Sequence, residues 1–91
     1  MKYFEYECNV LEKLNEILIV ESTNITNSTI RFNLPDNFHC ELDRNTLRKA
    51  HEEGCSEYNM ARQIKEIIRS EYVEAFVKRK TLERKEMLKS D

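Results

Sequence analysis

Gly54 and Pro35 are the only glycine and the only proline in 91 residues, and that scarcity constrains the chain more than any motif it carries. Phosphate-cradling loops, dinucleotide fingerprints and nucleophile elbows need backbone without Cβ at several nearby positions, so those enzyme classes are excluded. The two residues act instead as joints. Proline presets φ at the second position of a turn, and glycine supplies the left-handed residue that ends a helix.

The stretch around Pro35 carries the clearest pattern. Ile30, Phe32 and Leu34 alternate with Arg31 and Asn33, and beyond Pro35-Asp36-Asn37 the residues Phe38, Cys40 and Leu42 alternate with His39 and Glu41. Period-two alternation on both sides of turn chemistry predicts a β-hairpin, 29–34 with 38–42. Pairing Leu34 with Phe38, Phe32 with Cys40 and Ile30 with Leu42 puts six apolar side chains on one face.

Upstream, Phe4, Tyr6 and Cys8 alternate with Glu5 and Glu7, which predicts a strand over 2–8. A short helix over 9–15 follows from the spacing of Val10, Leu11 and Leu14. The β-branched run Ile17-Leu18-Ile19-Val20 then predicts a strand over 16–22, and the Ser/Thr/Asn cluster of 22–29 a turn. Downstream, Asp43 is the expected N-cap of a helix over 44–53 with Leu47 and Ala50 inward, stopped at Gly54. Ser56 starts the last helix, placed at 57–88, whose stripe of Ala61, Ile64, Ile68, Tyr72 and Ala75 is widened by Met60, Ile67 and Phe76. The expected fold is α+β: a small N-terminal antiparallel sheet of about four short strands, followed by two helices covering one face.

Charge divides the chain. Residues 1–43 hold three bases against eight acids, a net of −5, and residues 44–91 hold twelve against nine, a net of +3. A single domain results, with a mainly β acidic half and a helical basic half, and with 78–91 as a solvated helix extension or tail. The asymmetry favours self-association and a basic contact surface near the C-terminus. No apolar run exceeds four residues, and the start Met1-Lys2-Tyr3-Phe4-Glu5 lacks the features of a secretory leader. Three cysteines without a CxxC pair suit reduced thiols. A cytoplasmic protein is therefore expected. Eight Asn, eight Lys and seven Ile against three Ala suggest an AT-rich gene of phage or mobile-element type.

Reactive constellations are weak. Cys8, His39, Cys40, His51 and Cys55 offer metal-ligand chemistry, but their spacing fits no known finger or ribbon. His39 and Cys40 are strand neighbours and point to opposite faces, so neither can serve the other as base and nucleophile. No catalytic residue, metal, cofactor, small-molecule substrate or membrane contact is expected.

One resemblance concerns the hairpin region. Thr29-Ile30-Arg31-Phe32-Asn33-Leu34-Pro35, then Phe38, Leu42-Asp43, Gly54-Cys55-Ser56 and Arg62, resembles the ribbon-helix-helix family of small dimeric DNA-binding repressors and antitoxins. That resemblance implies a strand that reads bases in the major groove through Thr29, Arg31 and Asn33, with Ser56 on a phosphate. It also implies a helix opening near Pro35. Such a helix would align Phe38 and Leu42 with Asn45, Thr46 and Lys49, whereas the hairpin keeps every apolar residue on one side.

The preferred expectation is a non-enzymatic interaction module. It would be a small regulator or inhibitor of a larger protein or nucleoprotein complex, binding a protein partner or a second copy as a homodimer. Its contact residues are Tyr72, Phe76, Arg79 and Lys80 on the last helix, because a small domain cannot cover that helix all round. The alternative is a DNA-binding transcriptional regulator or antitoxin of the ribbon-helix-helix type.

Overall fold

Between Ser28 and Arg44 the alternating residues form the sheet they predict. In the computed structural model, which describes residues 2–89 and their side chains through 84, β2 (Thr29–Asn33) and β3 (His39–Asp43) pair antiparallel with Phe32 opposite Cys40 and Ile30 opposite Leu42. Pro35–Asn37 makes a single 3₁₀ turn at the tip, and the Leu34 amide donates to the Phe38 carbonyl at 2.8 Å. Asp36 and Asn37 take φ of 64° and 60° there, the left-handed region that Asp and Asn tolerate better than other side chains. Pro35 thus turns a hairpin and does not open a helix.

A third strand, β1 (Ser22–Ile25), pairs antiparallel with the other edge of β2. The sheet order is β1-β2-β3. The turn expected over 22–29 is therefore shorter. It is closed by the Thr26 amide on the Thr29 carbonyl at 2.9 Å and by the two threonine hydroxyls at 2.8 Å. Ser22, Asn24, Thr29, Arg31, Asn33, His39, Glu41 and Asp43 share the outer, polar face by register, and Ile30, Phe32, Cys40 and Leu42 are buried on the other.

The N-terminal strands do not exist. Residues 3–17 form one helix, α1 (Tyr3–Ile17), so the chain opens on a helix, the first half is not mainly β, and the sheet has three strands where about four were expected. Two periods compete in this stretch. Phe4, Tyr6 and Cys8 alternate, but Tyr3, Tyr6, Val10, Leu14 and Ile17 recur every three to four residues over four turns, and the longer pattern buries more. Phe4 and Cys8 consequently face outward. The expected strand over 16–22 is replaced by the end of α1 and an extended link, from which Ile17, Leu18 and Val20 pack on the core while Ile19 stays 76% exposed.

The helical half follows its caps. The Asp43 carboxylate accepts from the Asn45 amide at 2.9 Å and starts α2 (Arg44–Glu52). Gly54, at φ 77°, ends it, with the Cys55 amide on the Ala50 carbonyl at 2.9 Å and the Gly54 amide on the His51 carbonyl at 3.2 Å, a Schellman closure. The Ser56 hydroxyl then accepts from the Asn59 amide at 3.1 Å, leading into α3 (Glu57–Lys89). One core joins Tyr6, Val10 and Leu14 of α1 to the inner face of the sheet, to Leu47 and Ala50 of α2, and to Met60, Ala61, Ile64 and Ile68 of α3.

One buried charge ties this assembly together. Glu7, 3% exposed, accepts from Arg44 Nε at 3.1 Å and Nη2 at 2.9 Å, and also from the Tyr3 hydroxyl. Arg44 Nη1 donates to the Thr26 carbonyl at 2.8 Å, and the Arg44 amide donates to the Ser28 carbonyl at 2.9 Å. Burial and the Glu7 carboxylate together hold the Tyr3 hydroxyl above its ordinary pKa. A two-pronged carboxylate–guanidinium contact of this kind is among the stronger charged hydrogen bonds. Removing one partner of a buried pair leaves the other uncompensated, so Glu7→Ala should destabilise the fold by about 3 kcal/mol in urea titration. The Glu7→Leu/Arg44→Met double variant should lose less than Glu7→Ala does.

Candidate interaction surface

The last helix is longer than the body it belongs to. Its 33 residues span about 50 Å at 1.5 Å per residue, within a molecule measuring 62 × 24 × 23 Å. Met60, Ala61, Ile64 and Ile68 sit in the core, while Ile67 between them is 38% exposed. Beyond them Tyr72 is 43% exposed, Phe76 50% and Val77 54%, with Val73 and Leu82 also open to solvent. The stripe expected to run inward over about five turns is thus buried for about three.

Two contacts hold α3 where it leaves the body. The Phe38 ring stands edge-on to the Tyr72 ring at a centroid distance of 5.3 Å, and the Cys40 thiol donates to Glu71 Oε2 at 2.7 Å. Beyond Tyr72 the helix continues as a free arm, about 25 Å from Val73 to Lys89. Arg79 and Lys80 lie on this arm. Lys80 Nζ sits 5.7 Å above the Phe76 ring and 3.6 Å from Glu83. Exposed ion pairs of this type contribute little to stability. Lys85 and Lys89, and the tail from 90 on, lie outside the described side chains.

Beside the point of departure lies an open cleft of about 430 Å³. Its walls are Ile17 at the end of α1 with Leu18 and Ile19 after it, Leu34, Pro35 and Asp36 at the hairpin tip, and Lys65, Ile68, Arg69 and Tyr72 of α3. The surface is apolar with charge at the edge. The sequence indicated Tyr72 but not its cleft, because the wall from α1 was hidden behind the expected strand.

The residues implied by the DNA-binding resemblance fall in two places. Thr29, Arg31 and Asn33 line the outer face of the central strand β2, with both strand edges hydrogen-bonded within the chain. Asn33 Nδ2 donates to the Ser22 hydroxyl at 3.0 Å, and Arg31 Nε is buried without a hydrogen-bond partner among the described residues. Ser56 is on the link between α2 and α3, as the cap of α3.

The cysteines and histidines are dispersed. Cys8 is exposed on α1 and not on an apolar strand face, Cys40 is buried under the sheet, and Cys55 is half-buried near the α2–α3 link. His39 lies on the opposite sheet face from Cys40, and His51 packs against the rings of Tyr3 and Tyr6. No group of three or more His, Cys, Asp or Glu among the described residues is placed to hold a metal ion. Nor is any described helix long and apolar enough to cross a membrane.

Burial, followed by the Glu71 carboxylate, pushes the Cys40 thiol from its ordinary 9.0 up to about 12. Burial, with a smaller contribution from Cys55, likewise takes the Tyr6 hydroxyl from 10.0 to about 12. Folding keeps both protons at a pH where the unfolded chain releases them, so the folded state binds more protons in that window. Stability from these groups is complete below about pH 9 and is lost as pH rises toward 12. The denaturation midpoint should therefore fall steadily above about pH 9, and Cys40→Val should flatten that decline.

Compared with known protein families, with curated proteins and with solved structures, the chain matches none.

Proposed function

We propose that this chain is a non-enzymatic interaction module, a small regulator or inhibitor that engages a larger protein or nucleoprotein complex through the α3 arm. The supporting observation is the division of one helix into a buried half and an exposed half. Met60, Ala61, Ile64 and Ile68 anchor α3 in the body, and Tyr72, Val73, Phe76 and Val77 extend its apolar surface into solvent. Leaving four large apolar side chains uncovered on adjoining turns opposes the hydrophobic effect unless a partner covers them. Arg79 and Lys80 border this patch and would set the polarity of what docks there. A second copy can cover the same surface, giving a homodimer.

Affinity capture from host lysate, after nuclease treatment, tests the reading with wild type and a Phe76→Glu/Val77→Glu variant. A discrete set of proteins held by wild type and lost with the variant is the expected result, with far-UV circular dichroism unchanged. Identical captured sets from both proteins would remove the arm as the contact element. Self-association is checked by light scattering, where the wild type should weigh twice its 11.0 kDa chain mass and the variant once.

A second reading rests on the outer sheet face, where Thr29, Arg31 and Asn33 project in one line and Arg31 has hydrogen-bonding capacity unused. This is the DNA-binding transcriptional regulator or antitoxin suggested by the ribbon-helix-helix resemblance, with Ser56 on a phosphate, reading bases from the outer sheet face although Pro35 turns a hairpin where that family would open a helix. A sequence-specific gel shift on its own upstream DNA, abolished by Arg31→Ala, supports it, and no shift at moderate salt rejects it.

A further inference from the structure

One face of α3 keeps the same chemistry from the body into the arm. At about 100° per residue, Arg62, Lys65, Arg69, Arg79 and Lys80 fall on an arc of about 100° beside the core face, together with the rings of Tyr58, Tyr72 and Phe76. Glu57, Glu66, Glu71 and Glu74 lie outside that arc. Glu83 enters it only at the far end, against Lys80. Over residues 58–80 the arc therefore carries five cations, three rings and no acid.

Both residue types are available. Tyr58 is 53% exposed, similar to Phe76. Arg62 lies over the Tyr58 ring at 5.9 Å, as Lys80 lies over Phe76, while Phe38 braces Tyr72. Arg62, Lys65, Arg69 and Arg79 have no carboxylate partner among the described residues. The cleft opens on the middle of this face, bordered by Lys65, Arg69 and Tyr72, with Asp36 offering an acceptor across it.

We propose that this face binds single-stranded nucleic acid, with backbone phosphates on the cations, bases stacked on the rings, and one base seated in the cleft. The proposal rests on α3 being the contact element and names the chemistry of what it contacts. Rings interleaved with cations along an axis suit a flexible strand whose bases and phosphates alternate. An acidic helix would instead call for an unbroken apolar stripe along this face. A duplex would meet the cations but offer no open base faces to the rings. Apart from these five cations the chain carries ten bases against seventeen acids, a net charge of −7, which favours a polyanion approaching this face over the rest of the molecule.

Fluorescence anisotropy with labelled mixed-sequence 20-nucleotide RNA and DNA, titrated with the full chain at about 50 mM salt, tests the proposal. Saturable binding of either strand is expected, and the tighter one identifies the natural source. Arg62→Gln/Arg69→Gln should weaken binding at least about tenfold and reduce the salt slope by about 1.4, the release expected from two lost phosphate contacts on a single strand. Tyr58→Ala/Phe76→Ala should also cost at least about tenfold, as should removing the bases from the oligonucleotide. All four residues are exposed, and circular dichroism confirms that the variants fold. No binding at this salt overturns the proposal, as does equal affinity for the abasic strand. Displacement by polyglutamate, or by anionic phospholipid vesicles, at matched charge also overturns it. If oligonucleotides fail while nuclease-treated capture through Phe76 and Val77 persists, this inference falls and the interaction reading stands.

Discussion

The architecture depends on one buried carboxylate meeting one guanidinium. Glu7 projects from α1 into the interior, and Arg44, the first residue of α2, neutralises it. Arg44 reaches Glu7 while its third nitrogen and its own amide hold the carbonyls of Thr26 and Ser28. Four contacts at one residue thus fix the first helix, the β1–β2 turn and the start of the second helix in a single geometry. A buried pair of this kind adds little net stability over a well-packed apolar equivalent, but it tolerates few alternative arrangements. In a domain with a small core, such specificity decides which of several loosely apolar packings is adopted.

With that end fixed, α3 is left with a division of roles. Its first turns complete the core between α1 and the sheet, and its described side chains from 73 to 84 are exposed, because α1 is only 15 residues long and the strands four or five. The helix nevertheless continues without a glycine or proline. Its exposed length is therefore a consequence of how little body the other elements provide, and Phe76, Arg79 and Lys80 lie on that excess.

The sequence was legible where local chemistry and burial agreed. The hairpin register, the Asp43 cap, the Gly54 stop and the Ser56 start all follow from residues whose preferred backbone geometry is the one observed. It misled where two periods overlapped. In the first turns of α1 the alternation of Phe4, Tyr6 and Cys8 hid the wider spacing of Tyr3, Tyr6, Val10 and Leu14, and the polar residues of β1 resembled a turn because its outer face is solvated. The strand expected over 2–8 also concealed the Glu7–Arg44 contact, and the one expected over 16–22 concealed the wall of the cleft formed by Ile17, Leu18 and Ile19. Tyr72, Phe76, Arg79 and Lys80 could be singled out because their exposure follows from too much apolar width on one helix. Their alignment with Arg62, Lys65 and Arg69 depends on the helix running unbroken past Tyr72.

That continuity makes the arm a matter of angular phase. Each residue of an α-helix turns the following ones by about 100°, so the direction in which Phe76 and Lys80 point is determined by the number of residues between them and the buried Ile68. Inserting a single residue there would leave the core intact and the composition of the arm unchanged, yet turn its contact face about a quarter of the way around the axis. The body serves as the reference from which that angle is measured, and the surface is specified by spacing as much as by side chains.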